Sequence, residues 1–349
     1  MAEMREDITN KNENVYVQEF PSCLLCNSEG MLLYNNLRDR LFDAPGIWAL
    51  RHCPNCDLVW LDPQPLPGEL SKLYTQYYTH QVEGVSRKRR ARLRNVIKTS
   101  ILQTRFGYSM EQNKILGLLF SLIGPFKEIV GGSIRWLKAQ ERGCLLDIGC
   151  GNGQFLSRMR ELGWEVVGVE SDPEAVRIAR EQFGLEVFEG SLEQVELPQN
   201  SFDAITMNHV IEHVPDPIGA LAKCHRLLKP GGKLVIVTPN IQSLGSHLFG
   251  KYWRGWEVPR HLFLFSPKSL RMCAEQAGFK VQKLRTTAKG ARWMWAASRL
   301  IKKNGKLPGG SPRRVSLQMK LKGLVFWIVE HLLCQVKDGG EEIIFIATK

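Results

Sequence analysis

The sequence predicts an α/β protein whose main domain is a doubly wound, mostly parallel sheet. From residue 144 onward, short apolar runs alternate with helical patterns, which is typical of parallel strands connected by helices. The first run, Cys144–Ile148, leads into a loop in which Gly149, Gly151 and Gly153 alternate with other residues. The second run ends on an acid, Glu170. A ligand can lie directly against such a turn, because glycine has no Cβ.

Local signals place the remaining elements. A helix follows the glycine loop, and the strand Glu165–Glu170 follows that helix. Asp172 and Pro173 give the next helix an N-cap and a first-turn proline, and Gly184 closes it. Helices are predicted over 154–162 and 217–228, and further strands over 185–189, 202–207, 233–238, 281–285 and 343–348.

The glycine loop also indicates a family. Asp147, the glycines that follow it and Glu170 resemble the first motif of class I S-adenosylmethionine-dependent methyltransferases, and the similarity extends over 139–285 and 340–349. The resemblance implies a Rossmann-like, seven-stranded methyltransferase sheet whose last two strands form an antiparallel pair. It also implies S-adenosyl-L-methionine as the cofactor. A dinucleotide fingerprint would read Gly-x-Gly-x-x-Gly, so the spacing disfavours the alternative of a nicotinamide-dependent oxidoreductase.

The same resemblance assigns the cofactor contacts. It implies that the 147–153 turn contacts the methionine portion and that Glu170 contacts the ribose hydroxyls. Ser191 and Leu192 would flank the adenine, and Asn208 would lie near the amino-acid end. Two alternatives stay open, since Asp147 and Ser191 are also residues that cap helices. The implied set is Asp147, Gly149, Cys150, Gly151, Asn152, Gly153, Glu170, Ser171, Gly190, Ser191, Leu192, Asn208 and His209.

Methyl transfer to an oxygen atom requires a group that removes the hydroxyl proton, commonly a histidine. The candidates are His209, His213 and His261, with His261 the first choice and His213 the second. His213 lies in a segment that resembles the ubiquinone-pathway branch of the family, some members of which place Glu-x-x-Glu-His ligands around a divalent ion. Position 209 is histidine here, which argues against that ion. The alternative for His213 is a structural ring that fixes its loop.

The run before His261 resembles the same branch in the stretch after strand five, which faces the substrate. Trp253 and Trp256 could form an apolar wall there, and Arg254 or Arg260 could pair with an anionic group. Packing in the core explains the two tryptophans nearly as well.

Two Cys-x-x-Cys pairs precede the sheet domain, Cys23 with Cys26 and Cys53 with Cys56. Two such pairs can bring four thiolates around one Zn²⁺ in a tetrahedron. We therefore predict a zinc ribbon over residues 21–62, with a closed site that is structural rather than catalytic. A redox dithiol is the alternative, although it would not require two matched pairs.

The rest of the chain divides by composition. Residues 1–20 form a polar tail that we expect to be flexible, 63–138 a helical linker or cap, and 139–349 the methyltransferase domain with an insertion at 286–340. The apolar segment Leu317–Val336 within the insertion either packs on the core or lies on a membrane surface. Because no apolar segment near the N-terminus signals secretion, we expect a soluble cytoplasmic protein in a reducing compartment.

The net charge of +12 is unevenly placed, with basic residues concentrated over 87–105 and 268–322. These segments are either solvated faces or surfaces that attract an anionic partner. Such a partner would be a phosphorylated or lipid-linked acceptor, or a peripherally contacted membrane. No segment resembles an established nucleic-acid module, so RNA is the last candidate.

The sequence thus predicts an enzyme that transfers a methyl group from S-adenosylmethionine to a small or lipid-linked metabolite. Oxygen is the favoured acceptor atom, and the reaction would be an in-line displacement with a histidine base. The alternative is a non-catalytic scaffold that keeps the cofactor pocket and uses the ribbon and the basic faces to bind a partner.

Overall fold

A computed structural model of the chain describes residues 10–74, 88–109, 118–120, 124–312 and 315–349. The first part of the predicted tail and parts of the predicted linker lie outside these residues.

The N-terminal module contains two small sheets. Its strands are β1 (Asn10–Asn12), β2 (Val15–Gln18), β3 (Met31–Leu37), β4 (Trp48–His52), β5 (Val59–Leu61) and β6 (Gln64–Pro65). The order β1-β2-β6 forms one sheet, and β3, β4 and β5 belong to the other. A flexible tail is therefore the wrong prediction for residues 10–20. Val15 and Val17 alternate with polar residues, and this pattern buries one face of β2 against the module.

Much of the linker is helical where the structure describes it, although β6 lies near its start. A 3₁₀ segment covers Pro67–Tyr74, and the helices α1 (Lys88–Phe106) and α2 (Gly124–Gly132) follow, with residues 118–120 also helical. Helix α1 ends just before Gly107, where φ is +75°. Tyr108 then fixes the linker to the sheet domain, because its hydroxyl donates to the Leu137 carbonyl (3.1 Å) and accepts from Trp164 Nε1 (3.0 Å).

The main sheet has seven strands. They are β7 (Cys144–Ile148), β8 (Glu165–Glu170), β9 (Glu186–Glu189), β10 (Phe202–Asn208), β11 (Leu228–Pro239), β13 (Lys280–Thr287) and β14 (Glu342–Thr348). Their order is β13-β14-β11-β10-β7-β8-β9. Strand β14 is antiparallel to both neighbours, whereas the other pairs are parallel. The expected α/β fold, with an antiparallel pair at its end, is confirmed.

Helices cover both faces of this sheet. They are α3 (Gln154–Glu161), α4 (Pro173–Phe183), α5 (Pro217–Leu227), α6 (Leu244–Phe249) and α7 (Pro267–Gln276). Helix α4 begins as predicted, since Asp172 accepts from the Glu174 amide at 3.0 Å, and it ends at Gly184 with φ of +56°. Strand β11 is longer than predicted, because Leu228 pairs with Phe202 before the 229–232 turn loops out.

The insertion forms two further helices, α8 (Ala291–Asn304) and α9 (Leu317–Val336). They contact each other through Trp295 and Phe326, whose ring centroids are 6.5 Å apart. None of the helices in the described residues has the length and apolar content needed to span a bilayer.

The N-terminal module is joined to the sheet domain by backbone pairing. A short strand of that domain, β12 (Phe263–Leu264), adds to the edge of β5, and the Leu61 amide donates to the Leu262 carbonyl at 2.9 Å. Asp39 and Arg260 form a fully buried ion pair across the same boundary (2.7 Å). The residues on either side of His261 are therefore held by the N-terminal module.

Candidate active site

The glycine loop after β7 is held in a conformation that only glycine adopts readily. The φ angles of Gly149, Gly151 and Gly153 are +68°, +55° and +80°. A Cβ at Gly149 would lie 2.5 Å from Val210 Cγ2, so this glycine packs against the protein. A Cβ at Gly151 would meet no atom within 4 Å, so the middle of the loop faces open space. A ligand could approach the backbone there.

Glu170 stands beside this opening at the end of β8. Its two carboxylate oxygens accept from the Gly151 amide (2.8 Å) and the Asp172 amide (2.9 Å). These two bonds fix the carboxylate against the glycine loop and leave further lone pairs for a ligand. Of the two neighbouring predicted residues, Ser171 donates to Glu170 at 3.4 Å, and Asn152 accepts from the Gln154 amide at 3.3 Å.

Asp147 is buried at the end of β7, where Thr206 donates to it at 2.5 Å. Burial raises the pKa of Asp147 to about 7, against the opposing effects of Arg135 and Thr206. No helix is capped by Asp147 in the described residues. Sequence reasoning missed Arg135, which lies in the linker outside any motif. The Arg135 guanidinium stacks on Phe155, with 4.6 Å from its carbon to the ring centroid.

The predicted adenine side lies at the ends of β8 and β9. Gly190 donates its amide to the Glu170 carbonyl (2.9 Å), and Leu192 is buried beside it. The Ser191 amide donates to the Gln194 side chain at 2.9 Å, within a turn from which no helix starts in the described residues. The alternative of a helix N-cap at Ser191 is therefore wrong. Cys150 packs under the loop, and burial raises the pKa of its thiol.

His209 follows Asn208 at the end of β10 and bridges two acids. Its Nδ1 lies 3.2 Å from Glu212 Oε1, and its Nε2 lies 3.4 Å from Glu342 Oε1. Burial opposes the charge, yet these two carboxylates raise the pKa of His209 to about 10. An imidazolium cannot accept a proton, so His209 is unsuited to be the base at neutral pH.

The other two candidate histidines lie together. The ring centroids of His213 and His261 are 4.7 Å apart in an edge-to-face arrangement. His261 Nδ1 donates to the Gly255 carbonyl at 2.8 Å, which leaves Nε2 as its acceptor. Burial, followed by the neighbouring His213, lowers the pKa of His261 to about 3. His213 Nδ1 lies 3.0 Å from both the Tyr74 hydroxyl and the Arg260 carbonyl.

A buried carboxylate completes this cluster. Thr238 donates to Glu212 at 2.9 Å, and although burial opposes ionisation, His209 lowers the pKa of Glu212 to about 2. Ligand atoms of Glu212, His213 and His261 all lie within 4.8 Å of one another. This geometry could hold a divalent ion, even though position 209 is a histidine.

The two arginines that the sequence offered for an anionic acceptor already have protein partners. Arg260 is fully buried and pairs with Asp39, and it also contacts Glu257 at 3.3 Å. Arg254 pairs with Glu257 at 2.5 Å. Both guanidinium groups are buried in ion pairs, Arg260 with Asp39 of the N-terminal module and Arg254 with the nearby Glu257, so the expectation that they bind an anionic acceptor is wrong.

The two tryptophans of this run pack in the core. Trp253 and Trp256 are both buried, with ring centroids 5.1 Å apart. Trp253 Nε1 donates to Glu341 at 2.8 Å, and Trp256 Nε1 donates to the Gly250 carbonyl at 2.8 Å. Packing in the core therefore describes these two tryptophans better than an apolar wall facing a substrate.

The four N-terminal cysteines form one cluster. Sulfur atoms of Cys23 and Cys56 lie 3.4 Å apart, as do those of Cys26 and Cys53, and Cys26 and Cys56 lie 3.9 Å apart. The two turns match each other, since the amides of Asn27 and Asp57 donate to the first cysteine carbonyl of their pair at 2.9 and 3.0 Å. Both residues have left-handed φ angles, +55° and +60°. The arrangement fits a zinc-ribbon-like module.

Comparison with known families matches residues 132–284 to a family described as a methyltransferase domain. Among curated proteins, the chain is 43% identical over 103 residues to the ubiquinone biosynthesis O-methyltransferase of Xanthomonas oryzae pv. oryzae, which is 28% of this chain and 43% of the relative. It is 38% identical over 116 residues to the protein of the same name from Cereibacter sphaeroides, which is 31% of this chain and 47% of the relative. The chain thus spans less than half the length of these relatives.

Solved structures give similarities of lower identity. A S-adenosylmethionine-dependent methyltransferase from Mesorhizobium loti matches with a TM-score of 0.40 and 17% identity, covering 59% of this chain and 90% of that one. One from Archaeoglobus fulgidus matches with a TM-score of 0.41 and 22% identity, covering 71% and 98%. The strand order, the glycine loop and the family match together support the expected class I S-adenosylmethionine-dependent methyltransferase domain over residues 132–284.

Proposed function

We propose that the protein transfers a methyl group from S-adenosylmethionine to an oxygen atom of a small or lipid-linked metabolite. The open space beside Gly151 and Glu170, at the carboxyl ends of β7 and β8, is the observation that carries this proposal, and we call it the cofactor crevice. When bound, S-adenosylmethionine supplies a methyl group that is already activated by its sulfonium. The names of the curated relatives support oxygen as the acceptor atom and a lipid-linked acceptor.

The residues around the crevice fit this cofactor. Glu170 offers carboxylate lone pairs for two ribose hydroxyls, and Asp147 offers a carboxylate for the methionine ammonium. Arg135 has a buried Nε without a partner in the described residues, and its charge acts on Asp147. An unpartnered guanidinium nitrogen is costly to bury, so it favours a ligand that carries its own carboxylate. The remaining cofactor residues predicted from the sequence belong to the same proposal.

We assign the base to His213 rather than to His261. His261 has a pKa of about 3, which makes it a weak proton acceptor at neutral pH. In the tautomer whose Nδ1–H donates to the Arg260 carbonyl, His213 has Nε2 free to accept a proton. His213 would take the hydroxyl proton of the acceptor, while bound S-adenosylmethionine would supply the methyl group to the acceptor oxygen and leave as S-adenosylhomocysteine. His261 acts beside it as a neutral partner.

The cysteine cluster would hold one structural Zn²⁺. Zn–S bonds of about 2.3 Å place the sulfurs of a tetrahedral site about 3.8 Å apart, close to the observed separations of 3.4 to 3.9 Å. The residues that would bind it are Cys23, Cys26, Cys53 and Cys56. The proposal keeps the division into a ribbon at 21–62, a linker at 63–138 and a methyltransferase domain at 139–349. It also keeps a cytoplasmic location.

Two measurements test the proposal. Titration calorimetry of the full chain with S-adenosylmethionine should give saturable binding at one site, and NADH should give none. Incubation with a metabolite extract and isotopically labelled methyl donor should yield S-adenosylhomocysteine and a labelled product by mass spectrometry. Binding without turnover, for any hydroxylated acceptor in the extract, would favour the scaffold alternative. Absence of binding would remove the assignment altogether.

A further inference from the structure

Helix α9 presents a continuous apolar stripe to solvent in the part of the chain that the structure describes. At about 100° per residue, the exposed side chains fall within about 120° of the helix circumference. A helix that is covered by water normally carries polar residues on its outer face. The stripe consists of Leu317, Leu321, Val325, Ile328, Val329, Leu332 and Val336, which are 43 to 81% exposed.

The opposite face of α9 is already packed, so the stripe is not the side that meets the core. Phe326 is buried against Trp295 of α8, and Glu330 is fully buried and accepts from the Glu341 amide at 2.5 Å. The helix is therefore fixed to the domain through one face while the other remains uncovered by described residues.

The stripe continues onto α6, the helix that follows β11. Leu248 of α6 is 53% exposed, and Leu244 of the same helix meets α9 in a groove of about 450 Å³. Helix α6 begins shortly after β11 ends, so the apolar face lies at the same end of the sheet as the glycine loop and the histidines. The groove is lined by Leu244, Leu321, Lys322, Val325, Phe326 and Val329.

The charged residues next to the stripe in the sequence are mostly basic, although the exposed Asp338 follows its end. Lys320 and Lys322 lie on its two sides at the start of α9. Across 291–337 the only acid is Glu330, which is buried. The basic residues of the same stretch are Arg292, Arg299, Lys302, Lys303, Lys306, Arg313, Arg314, Lys320, Lys322 and Lys337.

We propose that this face docks on a bilayer containing anionic phospholipid, with α9 lying in the plane of the interface. Apolar side chains can enter the acyl boundary while the flanking lysines remain at the level of the phosphates. A second copy of the chain fits less well, because two such surfaces would bring several lysines together, and Asp338 just after the end of α9 is an exposed acid that could pair with only some of them. The inference goes beyond methyl transfer, although docking would place the candidate site near a lipid-linked acceptor.

Vesicle co-sedimentation of the full chain tests the proposal. We expect binding to vesicles of phosphatidylcholine with phosphatidylglycerol, and at least about tenfold weaker binding to phosphatidylcholine alone. The triple variant Leu321→Gln, Val325→Gln, Leu332→Gln should lose at least about tenfold in partitioning to the anionic vesicles. The pair Lys320→Glu, Lys322→Glu should lose a similar factor and should also lose the dependence on salt.

The matched control is Leu32→Gln, which changes a similarly exposed leucine (57%) on β3 of the N-terminal module and should bind vesicles normally. S-adenosylmethionine binding in solution, measured for every variant, separates this test from the proposed function and checks the fold. The proposal is overturned if the natural chain does not bind anionic vesicles, or if the triple variant binds them equally. It is also overturned if the natural chain is a dimer that does not bind vesicles and the triple variant is a monomer.

Discussion

The cofactor crevice and the histidine cluster lie at the same edge of the sheet but are built in different ways. The crevice comes from one stretch of chain, because the glycine loop and Glu170 are joined by a single helix and bonded directly (2.8 Å). The histidine cluster joins Tyr74 of the linker, His213 after β10 and His261 after β11. Local sequence is therefore enough to specify the contact between the glycine loop and Glu170, whereas the histidine cluster depends on the assembly of the whole chain.

The N-terminal module is the physical link between the distant parts of the cluster. Its strand β5 pairs with β12, and its Asp39 forms an ion pair with Arg260, the residue that precedes His261. Removing one member of a buried ion pair strands the other charge. Substitutions that destabilise the module should therefore disturb the positions of the histidines more than the conformation of the glycine loop. This difference gives several ways to test the comparison.

The largest effect is expected from disruption of the cysteine cluster. In Cys53→Ser, zinc should be lost from the purified protein and turnover should fall by more than about 10³-fold, because β5 no longer holds the segment that carries His261. Structural zinc contributes on the order of 10 kcal/mol in small modules, so a fall in Tm of about 10 °C or more is expected. Elemental analysis measures the zinc content, calorimetry measures the Tm, and a methyl-transfer assay measures turnover. Cys144→Ser, outside the cluster, should change none of these three quantities. Full zinc content or unchanged turnover in the variant would break the link we describe.

Substitution of the proposed base should separate the two regions most cleanly. His213→Gln should lower kcat by about 10² to 10⁴-fold and leave the Kd for S-adenosylmethionine within about twofold, since a general base contributes to the step but not to cofactor binding. His225→Gln, at the far end of α5, serves as the control. If His261→Gln alone reproduces the loss, the base assignment passes to His261.

The reverse experiment acts on the crevice. Glu170→Ala removes a carboxylate that is bonded to two backbone amides, and charged hydrogen bonds contribute about 1.5–3 kcal/mol each, so cofactor Kd should rise by about 100-fold. At saturating cofactor, kcat should change little. Glu189→Ala, at the end of the neighbouring strand β9, should leave the Kd unchanged. An unaltered Kd in Glu170→Ala would mean that the ligand does not contact β8.

The same contrast explains how much could be predicted from the sequence. Strand and helix positions from 144 onward were predictable because apolar runs, Asp172 as an N-cap and Gly184 as a helix end are local signals. The paired cysteine turns were predictable for the same reason. The role of Arg260 was not, because its partner Asp39 becomes a neighbour only when the module docks. Arg254 pairs with Glu257, three residues away, and charge spacing alone does not show that this pair is buried.

Other features of the site had no sequence signal. Arg135 reaches Asp147 from the linker, and Glu342 reaches His209 from the last strand, so neither residue belongs to a motif. The pKa of His261 is another example, since its fall to about 3 depends on complete burial beside His213. Residue type indicates that a histidine can be a base, but only packing decides which histidine is suited to it.

The smallest expected effect concerns the cofactor crevice and is the pH dependence of cofactor binding. Asp147, with a pKa of about 7, must be ionised to bind the methionine ammonium, so cofactor affinity is lost as the pH falls through that value. Between pH 6 and 7.5 the ionised fraction rises by about eightfold, and the Kd should fall by about the same factor. Asp147→Asn should bind weakly and without this pH dependence, whereas His213→Gln should retain it. Calorimetry at matched ionic strength measures all three proteins. A pH dependence that survives in Asp147→Asn would assign the titration to another group, and the ammonium contact would then have to be placed elsewhere in the crevice.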